Sequence, residues 1–434
     1  MTEALVVGIP AAVFFALALV RPAWGLAFFA LARGAADAFS DVRLDALGAG
    51  VNPASALGAA ALVAAAVRAR LLDRAALRLC GPLGILLAVV GFEAAVGLAT
   101  FGAGHAGDAL RELLRFASIL AFFALVLTLP SARERRIVYL AVLAAIAMCA
   151  AWGAVQYAAG SGTFEAVSGV RRARGPFAYP NTLAYAALLG TVLLGGELLS
   201  GAPGRAGRWG RIAGAAALLA VLALTASVTV IALAFLALGL FLLLTRRTAL
   251  LAAAVVLALA ACPLLLPRLS MLAASEPSVD LADGHARNTL TARLDIWRGL
   301  LSVARERPVW GWGLRSVPRV SPVQDEIRGA GSEPHNDFLL FLVEGGAVGL
   351  AGFIAFHLAA LRMLARRAAA APAGARKGRL AGLWVMYACM LAGSLGNNLL
   401  SFTALLVLFW GAAAACVRDE TENQAQSKPI AYGL

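Results

Sequence analysis

Residues 137–159 read IVYLAVLAAIAMCAAWGAVQYAA and contain no charged side chain. At a rise of about 1.5 Å per residue, an α-helix of this length reaches across the roughly 30 Å hydrocarbon core of a bilayer. The whole chain shares this character, since 61% of its 434 residues are hydrophobic and 14% are charged. Soluble globular domains are far less apolar, so the sequence predicts an all-α integral membrane protein with a single polytopic domain over residues 1–434.

Similar apolar runs recur along the chain and predict about twelve transmembrane helices. They cover residues 4–20, 22–33, 53–67, 79–100, 113–129, 137–159, 177–199, 211–225, 227–245, 248–267, 337–361, 380–395 and 398–417. The second run is too short to cross alone, and Arg21-Pro22 separates it from the first. These two runs therefore form either a hairpin or a broken helix.

Arginines in the short loops set the orientation, because cytoplasmic loops carry an excess of Lys and Arg. They group on one side: Arg68, Arg70, Arg74, Arg78, Arg133, Arg135, Arg136, Arg205, Arg208, Arg211, Arg246, Arg247 and the run from Arg362 to Arg379. We expect this side, with a short polar tail at 418–434, to be cytoplasmic. These loop arginines then account for the formal net charge of +13, which does not indicate binding to nucleic acid.

Four connections fall on the outer side: residues 101–112, 160–176, 225–229 and 268–334. The last is the one long loop of this prediction, and loops of that length are largely exempt from the charge rule. Long loops in a compact protein are usually functional. We therefore look for a site in the loop at 268–334 and in the connections on the same side.

Three arginines stand in the shorter outer loop, where the sequence reads RRARGPFAYPN from Arg171. Arg171, Arg172 and Arg174 oppose the charge rule, which predicts a compensating anion. The planar guanidinium group suits phosphate, and three such groups neutralise most of a diphosphate. Binding to lipid headgroups or to an acidic protein patch is an equal alternative. In the first interpretation, Arg172 and Arg174 bind substrate.

The long loop contains TARLDIWRGLLSVARERP, whose apolar spacing predicts a helix from Thr291 to about Arg307. This loop helix is expected to lie on the membrane surface or to cap a cavity. Its predicted apolar face carries Leu294, Trp297, Leu301 and Ala304.

Arginines on and beside the loop helix are further candidates for substrate binding. Arg293 precedes Trp297 by four residues and so shares its face. Arg287 and Arg315 flank the helix. A solvated charged face is the alternative interpretation. Among the three, we rank Arg293 first, Arg315 second and Arg287 third.

The sequence SEPHNDFLLFLVEGGAVGL, which starts at Ser332, predicts a helix start at the outer membrane interface. Ser332 is expected to cap that helix, and Pro334 to lie in its first turn with His335 beside it. The positive end of a helix disfavours imidazolium and attracts phosphate. His335 is then a neutral imidazole able to accept a proton, and we assign it as the candidate catalytic residue.

A single histidine is more often structural than catalytic, but the other three have less suitable surroundings. His105 is in a short glycine-rich loop, His285 in an irregular segment and His357 deep in a span. Glu333, His335 and Asp337 do not predict a metal site, because in a helical turn the middle residue of such a set points away from the others. We expect no metal and no cofactor.

These motifs resemble those of the superfamily of O-antigen ligases and polymerases, whose signature is HN-x-x-L-x-x-x-x-E-x-G-x-x-G. The matching positions are His335-Asn336, Leu339, Glu344, Gly346 and Gly349. Arg174-Gly175 through Pro180-Asn181 is similar to the upstream RG-x-F-x-x-PN element, and Arg293 to Trp297 followed by Gly311-x-Gly313 to the loop-helix element. One departure is Ser227-Val228, where relatives carry Ser-Arg, so no arginine role is carried over there.

The resemblance implies a glycosyltransferase C-type fold in the bacterial inner membrane, with the active site facing the periplasm. It also implies an inverting, metal-independent transfer of an O-antigen glycan from undecaprenyl diphosphate. Ligases attach the glycan to lipid A-core, polymerases extend it, and related enzymes transfer it to protein hydroxyls. We expect a ligase, with a polymerase as the alternative. The expected partners are the lipid-linked donor, the lipid A-core acceptor and membrane lipids.

A transporter of the same lipid-linked oligosaccharide is an alternative from a different class. It would also have many spans and outer arginines. Transporters typically place their polar sites near the bilayer midplane. Here the polar motifs gather at the predicted outer interface, which favours the transferase.

Overall fold

The computed structural model describes residues 2–46, 49–165, 170–199, 204–244, 279–280, 285–286, 290–325, 330–331 and 333–418. Its α-helices within these ranges are α1 Thr2–Val20, α2 Pro22–Ala36, α3 Pro53–Arg68, α4 Arg74–Leu79, α5 Gly81–Phe101, α6 Ala106–Leu127, α7 Ala132–Ala158, α8 Pro180–Leu199, α9 Arg205–Leu224, α10 Val228–Leu244, α11 Leu290–Glu306, α12 Val317–Val320, α13 Asp337–Ala370, α14 Ala375–Gly393 and α15 Thr403–Val417. Short 3-10 helices occupy Asp37–Phe39, Ala69–Leu71, Ala103–His105 and Leu399–Ser401.

The described connections also contain small antiparallel hairpins. These pair β1 Leu44–Ala46 with β2 Ala49–Val51, β3 Thr163–Glu165 with β4 Val170–Arg172, β5 Val279–Asp280 with β6 His285–Ala286, and β7 Gln324–Asp325 with β8 Ala330–Gly331. The register of β3 and β4 places Thr163 opposite Arg172. Successive side chains of a strand point to opposite faces, so Arg171 and Arg172 are directed differently.

Six of the described helices are long and apolar enough to cross a membrane. These are Glu3–Val20, Pro53–Leu71, Gly81–Phe101, Ala132–Ala158, Arg205–Leu224 and Asp337–Ala370. The other predicted runs within the described ranges also fall on helices, while the run 248–267 lies outside those ranges. The prediction of an all-α membrane protein is confirmed. The number of about twelve crossings and the C-type fold stay predictions.

The first two helices form a hairpin, which resolves the alternative left open at Arg21-Pro22. Pro22 occupies the first turn of α2, where its missing N–H is not needed. Phe14 and Phe29 lie on opposite arms, and their ring centroids are 4.9 Å apart. The two helices therefore pack side by side.

Helix α15 is the centre of the bundle. All of residues 404–414 are buried, and α15 contacts α2, α6, α7, α8 and α14. Trp410 is 1% exposed and meets the edge of Phe123, with ring centroids 5.5 Å apart. A helix that is apolar on every face is stable in such surroundings. Its burial fixes the position of the connection that precedes it.

Helix α13 is broken near its middle at Gly346, where φ is 61° and ψ is −155°. At the break, nearby backbone N–H and C=O groups lose their hydrogen-bond partners within the helix. The segment 308–314 supplies new partners. The N–H of Trp312 donates to the carbonyl of Val343 at 2.9 Å, and the N–H of Ala347 donates back to the carbonyl of Pro308 at 2.8 Å. Unpaired backbone groups are costly in a membrane protein, so the break depends on this segment being docked.

The segment 308–314 is also fixed to α5. The N–H of Leu314 donates to the carbonyl of Glu93 at 2.8 Å, and the buried imidazole of His105 lies 2.6 Å from the carbonyl of Leu314. Gly313 has φ of 99°, and a Cβ there would meet the backbone of Gly97. The glycine in the loop-helix motif therefore permits a close approach between two backbones.

We predict that Gly346→Ala lowers the thermal stability of the detergent-purified protein. The left-handed φ alone costs an alanine about 1–2 kcal/mol, and the added Cβ would also meet the carbonyl of Val309. Gly210→Ala is the matched control, because Gly210 lies in helix α9 with nothing within 4 Å of its Cβ position. That variant should melt at the wild-type temperature or slightly above it. Equal melting temperatures for both variants would contradict the role of the break.

Candidate functional site

The connection between α14 and α15, residues 394–402, is where the candidate residues meet. It reads SLGNNLLSF. Asp337, the first residue of α13, is fully buried against it. The Asp337 N–H donates to the carbonyl of Ser394 at 2.9 Å, and Asp337 Oδ2 accepts from the N–H groups of Leu399 at 2.9 Å and Leu400 at 3.4 Å. This aspartate joins the start of α13 to the 394–402 connection.

His335 lies just before α13 and is half-buried. The prediction that it sits in the first helical turn is wrong, because Asn336 is the N-cap and the helix begins at Asp337. The Asn336 side chain accepts from the N–H of Leu339 at 3.1 Å, as an N-cap asparagine does. Ser332, the predicted cap, lies outside the described residues. His335 itself has φ of 48°, an unusual conformation for a residue with a side chain.

The loop helix α11 holds the histidine segment from the other side. It spans Leu290–Glu306, which confirms the predicted helix to within one residue at each end. The Trp297 indole N–H donates to the carbonyl of Pro334 at 2.6 Å. The backbone at His335 is therefore held on both sides. Trp297 bonds to Pro334 before it, and Asn336 after it caps helix α13.

The buried face of α11 differs from the prediction in part. Leu300, Val303 and Ala304 are buried and pack with Leu339 and Val343 of α13. The predicted members Leu294 and Leu301 are 37% and 41% exposed. The apolar face is therefore rotated slightly around the helix axis from the expected one.

Arg293 reaches the same connection from α11. Its guanidinium Nη1 donates to the carbonyl of Gly396 at 2.8 Å. Burial lowers the pKa of Arg293 from its ordinary value, with Tyr185 acting in the opposite direction. An arginine remains protonated at neutral pH even so. The prediction that Arg293 and Trp297 share a face agrees with this geometry, since both side chains bond to segments around His335.

Arg172 joins the site through a chain of polar contacts. Its guanidinium donates to the carbonyl of Thr225 at 2.8 Å and to Asn181 Oδ1 at 3.0 Å. Asn181 Oδ1 also accepts from the hydroxyl of Ser227 at 2.9 Å, and Asn181 Nδ2 donates to Asn397 Oδ1 at 3.1 Å. The loop of arginines, the turn at Ser227 and the 394–402 connection are therefore one polar unit.

Arg174 and Arg171 are placed differently from Arg172. Both are exposed, and neither side chain takes part in the described contacts between Arg172, Asn181 and Asn397. Gly175 after them has φ of 61°, which makes the turn into α8. A substrate-binding role for Arg174 stays a prediction.

Arg315 lies between two carboxylates. Its guanidinium is 3.5 Å from Glu333 Oε1 and 3.7 Å from Glu112 Oε1. Burial is the largest single influence on the pKa of Arg315 and lowers it, but Glu112 and Glu333, with more distant carboxylates, raise it overall. Glu333 also accepts from Asn398 Nδ2 at 3.4 Å. Arg315 thus ties the segment before His335 to α6, and Glu333 ties that segment to the 394–402 connection.

Arg287 lies outside the described residues. Among the residues that the structure does describe, no group of three or more His, Cys, Asp or Glu is arranged to hold a metal ion.

Sequence reasoning missed the 394–402 connection. The sequence does not single out Asp337, Gly396, Asn397 or Asn398 as site residues. Gly396 nevertheless accepts from Arg293, and Asn398 donates to Glu333 beside His335. Asn397 bonds to Asn181, and Asp337 bonds to the backbone of Leu399. A signal was present, because two adjacent asparagines interrupt apolar runs at 380–395 and 398–417. Amides at a membrane interface usually need partners within the protein.

Part of the chain is similar to a known protein family. A family model described as O-antigen ligase matches residues 213–354, about a third of the chain. The matched region runs from α9 to the first part of α13 and includes Arg293 and His335. No curated protein matches the chain significantly.

We predict that Arg172→Gln weakens binding of a lipid diphosphate about tenfold or more, because hydrogen bonds to charged groups contribute roughly 1.5–3 kcal/mol. Arg171→Gln is the matched control, since it removes the same charge from the adjacent position of β4 without touching the contact to Asn181. Affinity for undecaprenyl diphosphate is the measurement, with melting temperature as the check on folding. Equal weakening by both substitutions would mean that only the charge of the loop matters.

Proposed function

We propose that this membrane protein, whose match over residues 213–354 supports membership of the superfamily of O-antigen ligases and polymerases, is an O-antigen ligase. It moves an O-antigen glycan from undecaprenyl diphosphate to lipid A-core oligosaccharide. The observation that carries the proposal is the convergence of His335, Arg293 and Arg172 on the 394–402 connection. A proton acceptor and fixed cations are what transfer from a diphosphate needs.

His335 is the general base in this proposal. One imidazole nitrogen takes the proton of an acceptor sugar hydroxyl while the hydroxyl oxygen attacks the anomeric carbon of the donor. The bond from that carbon to the diphosphate oxygen breaks, and its electron pair leaves with the diphosphate. A single displacement of this kind inverts the anomeric configuration. A positioned general base contributes about 10² to 10⁴ in rate.

The arginines stabilise the departing diphosphate. Arg293 is favoured because its guanidinium is anchored at Gly396 beside the histidine segment. Arg172 is held by Asn181, and Arg174 follows it in the same loop. Arg315 or Arg287 assists. Fixed cations aimed at developing charge are an effective form of catalysis, and we propose that they replace a divalent metal here.

The orientation follows from the arginine-rich loops. His335 precedes α13, whose other end carries Arg362, Arg366 and Arg367, and the start of α14 adds Arg376, Lys377 and Arg379. Basic residues near the ends of transmembrane helices mark the cytoplasmic side. We therefore propose that the site faces the periplasm from the inner membrane, where the lipid-linked donor and the lipid A-core acceptor are both accessible.

We predict that His335→Ala lowers transfer by at least about 10²-fold without loss of folding, because it removes the base. His285→Ala, in the same predicted outer loop, is the control. Product is measured in vesicles that carry donor and acceptor on the same face. A transporter would form no product there even as wild type. Wild-type turnover by the His335 variant would exclude the base assignment.

We predict that the purified protein, given the undecaprenyl-diphosphate glycan, forms product only when lipid A-core is added. The reason is that a ligase needs a different acceptor from its donor, whereas a polymerase uses a second donor molecule. Products of reactions with and without lipid A-core are separated by size and identified by mass spectrometry. Chain growth without added acceptor would instead establish a polymerase.

A further inference from the structure

A cavity lined by arginines lies at the opposite end of the bundle from His335. It is formed by the first turns of α7 and α14 and by the end of α15. Helix α13 runs from the histidine end to Ala370, five residues before α14 begins at Ala375. The cavity is therefore separated from the candidate active site by the length of a transmembrane helix. The arginine distribution predicts that this end is cytoplasmic.

The cavity has a volume of about 130 Å³. A site for one water needs about 10–15 Å³ by a comparable measure, so there is room for a polyatomic group. Its lining includes Arg135, Arg136, Tyr139, Arg376, Arg379 and Arg418. Five guanidinium groups around one cavity of this size make it strongly basic.

Backbone carbonyls orient several of these arginines. Arg135 Nη1 donates to the carbonyl of Leu129 at 2.9 Å, and Arg376 Nε donates to the carbonyl of Cys416 at 3.1 Å. These contacts fix the direction of each guanidinium group. The arrangement is ordered by the fold and is not a loose surface cluster.

Carboxylates offset part of the charge. Arg418 pairs with Asp73 at 2.5 Å, and Arg379 lies 3.8 Å from Glu197, which also bonds to Arg211 at 2.6 Å. These ion pairs position Arg418 and Arg379. A cavity lined by this many guanidinium groups favours an anion over a cation or a neutral ligand.

Arg379 shows where an anion would bind. Its guanidinium carbon lies over the ring of Tyr139, 4.9 Å from the ring centroid, which is a cation–π contact. Its Nε is buried and has no hydrogen-bond acceptor among the described residues. A buried donor without an acceptor is unfavourable, so an oxyanion in the cavity would restore the missing hydrogen bond.

We propose that this cavity binds the phosphate group of an anionic phospholipid headgroup from the leaflet on that side. The guanidinium group matches the geometry of phosphate oxygens, and basic pockets between transmembrane helices on the cytoplasmic side are suited to acidic headgroups. The cavity opens at the ends of three helices, which is the depth at which headgroups lie. This site is independent of the proposed transfer, since the substrate residues lie at the other end of the bundle.

The test measures binding of dioctanoyl phosphatidylglycerol to the full-length protein in neutral detergent by native mass spectrometry. Arg379→Gln and Arg136→Gln should each weaken binding about tenfold. Arg136 is exposed on α7, so its replacement leaves packing intact if the Arg379 variant does not fold. Arg133→Gln is the matched control, because Arg133 is exposed one turn earlier and does not line the cavity. It should bind like wild type.

Two further probes define the ligand. Dioctanoyl phosphatidylcholine, which has no net charge, should bind at least about tenfold more weakly than phosphatidylglycerol. Inorganic phosphate at the same concentration should compete poorly, because it lacks the acyl chains. Equal affinity of all four proteins for phosphatidylglycerol would overturn the site. Displacement of the lipid by equimolar phosphate would overturn the lipid as its source.

Discussion

The buried carboxylate of Asp337 determines how the candidate site is assembled. It accepts hydrogen bonds from two consecutive backbone N–H groups of the connection between α14 and α15, and its own N–H donates to that connection. The same connection supplies the carbonyl that holds Arg293 and the amide that bonds to Asn181. Burial of a polar group is costly unless it is hydrogen-bonded, and Asp337 Oδ2 has two backbone donors here. The candidate residues are therefore held together by the backbone of the 394–402 connection and by the side chain of Asp337.

Backbone hydrogen bonds also stabilise a second irregular region, which is the break in helix α13. Helix α13 breaks at Gly346 inside an apolar run, and the segment 308–314 bonds to both sides of the break. Gly311 and Gly346 allow these two backbones to approach closely, and Gly313 allows the same segment to approach Gly97 of α5. The spacing of these glycines in the sequence therefore has a structural cause, which is the close packing of backbones near the histidine segment. It does not depend on a chemical role of the glycines.

The helices could be predicted because each depends on local apolar runs, and the loop helix was placed to within a residue for the same reason. The start of α13 was misplaced because Asn336 caps it, whereas Ser and Pro upstream matched the general pattern equally well. The contacts of Asp337 and Asn397 could not be predicted. They join segments separated by as many as 216 residues, and no local pattern specifies such pairs.

The docking of segment 308–314 also has a consequence for the order in which the protein is made. Leu314 bonds to Glu93 of α5, while its neighbours bond to α13, which is synthesised later. The loop cannot reach its final arrangement until helices from both halves of the chain are inserted side by side. Contacts between distant segments form late, because the entropy of closing the intervening chain opposes them. The final conformation of segment 308–314 therefore forms only after α5 and α13 have packed on either side of it.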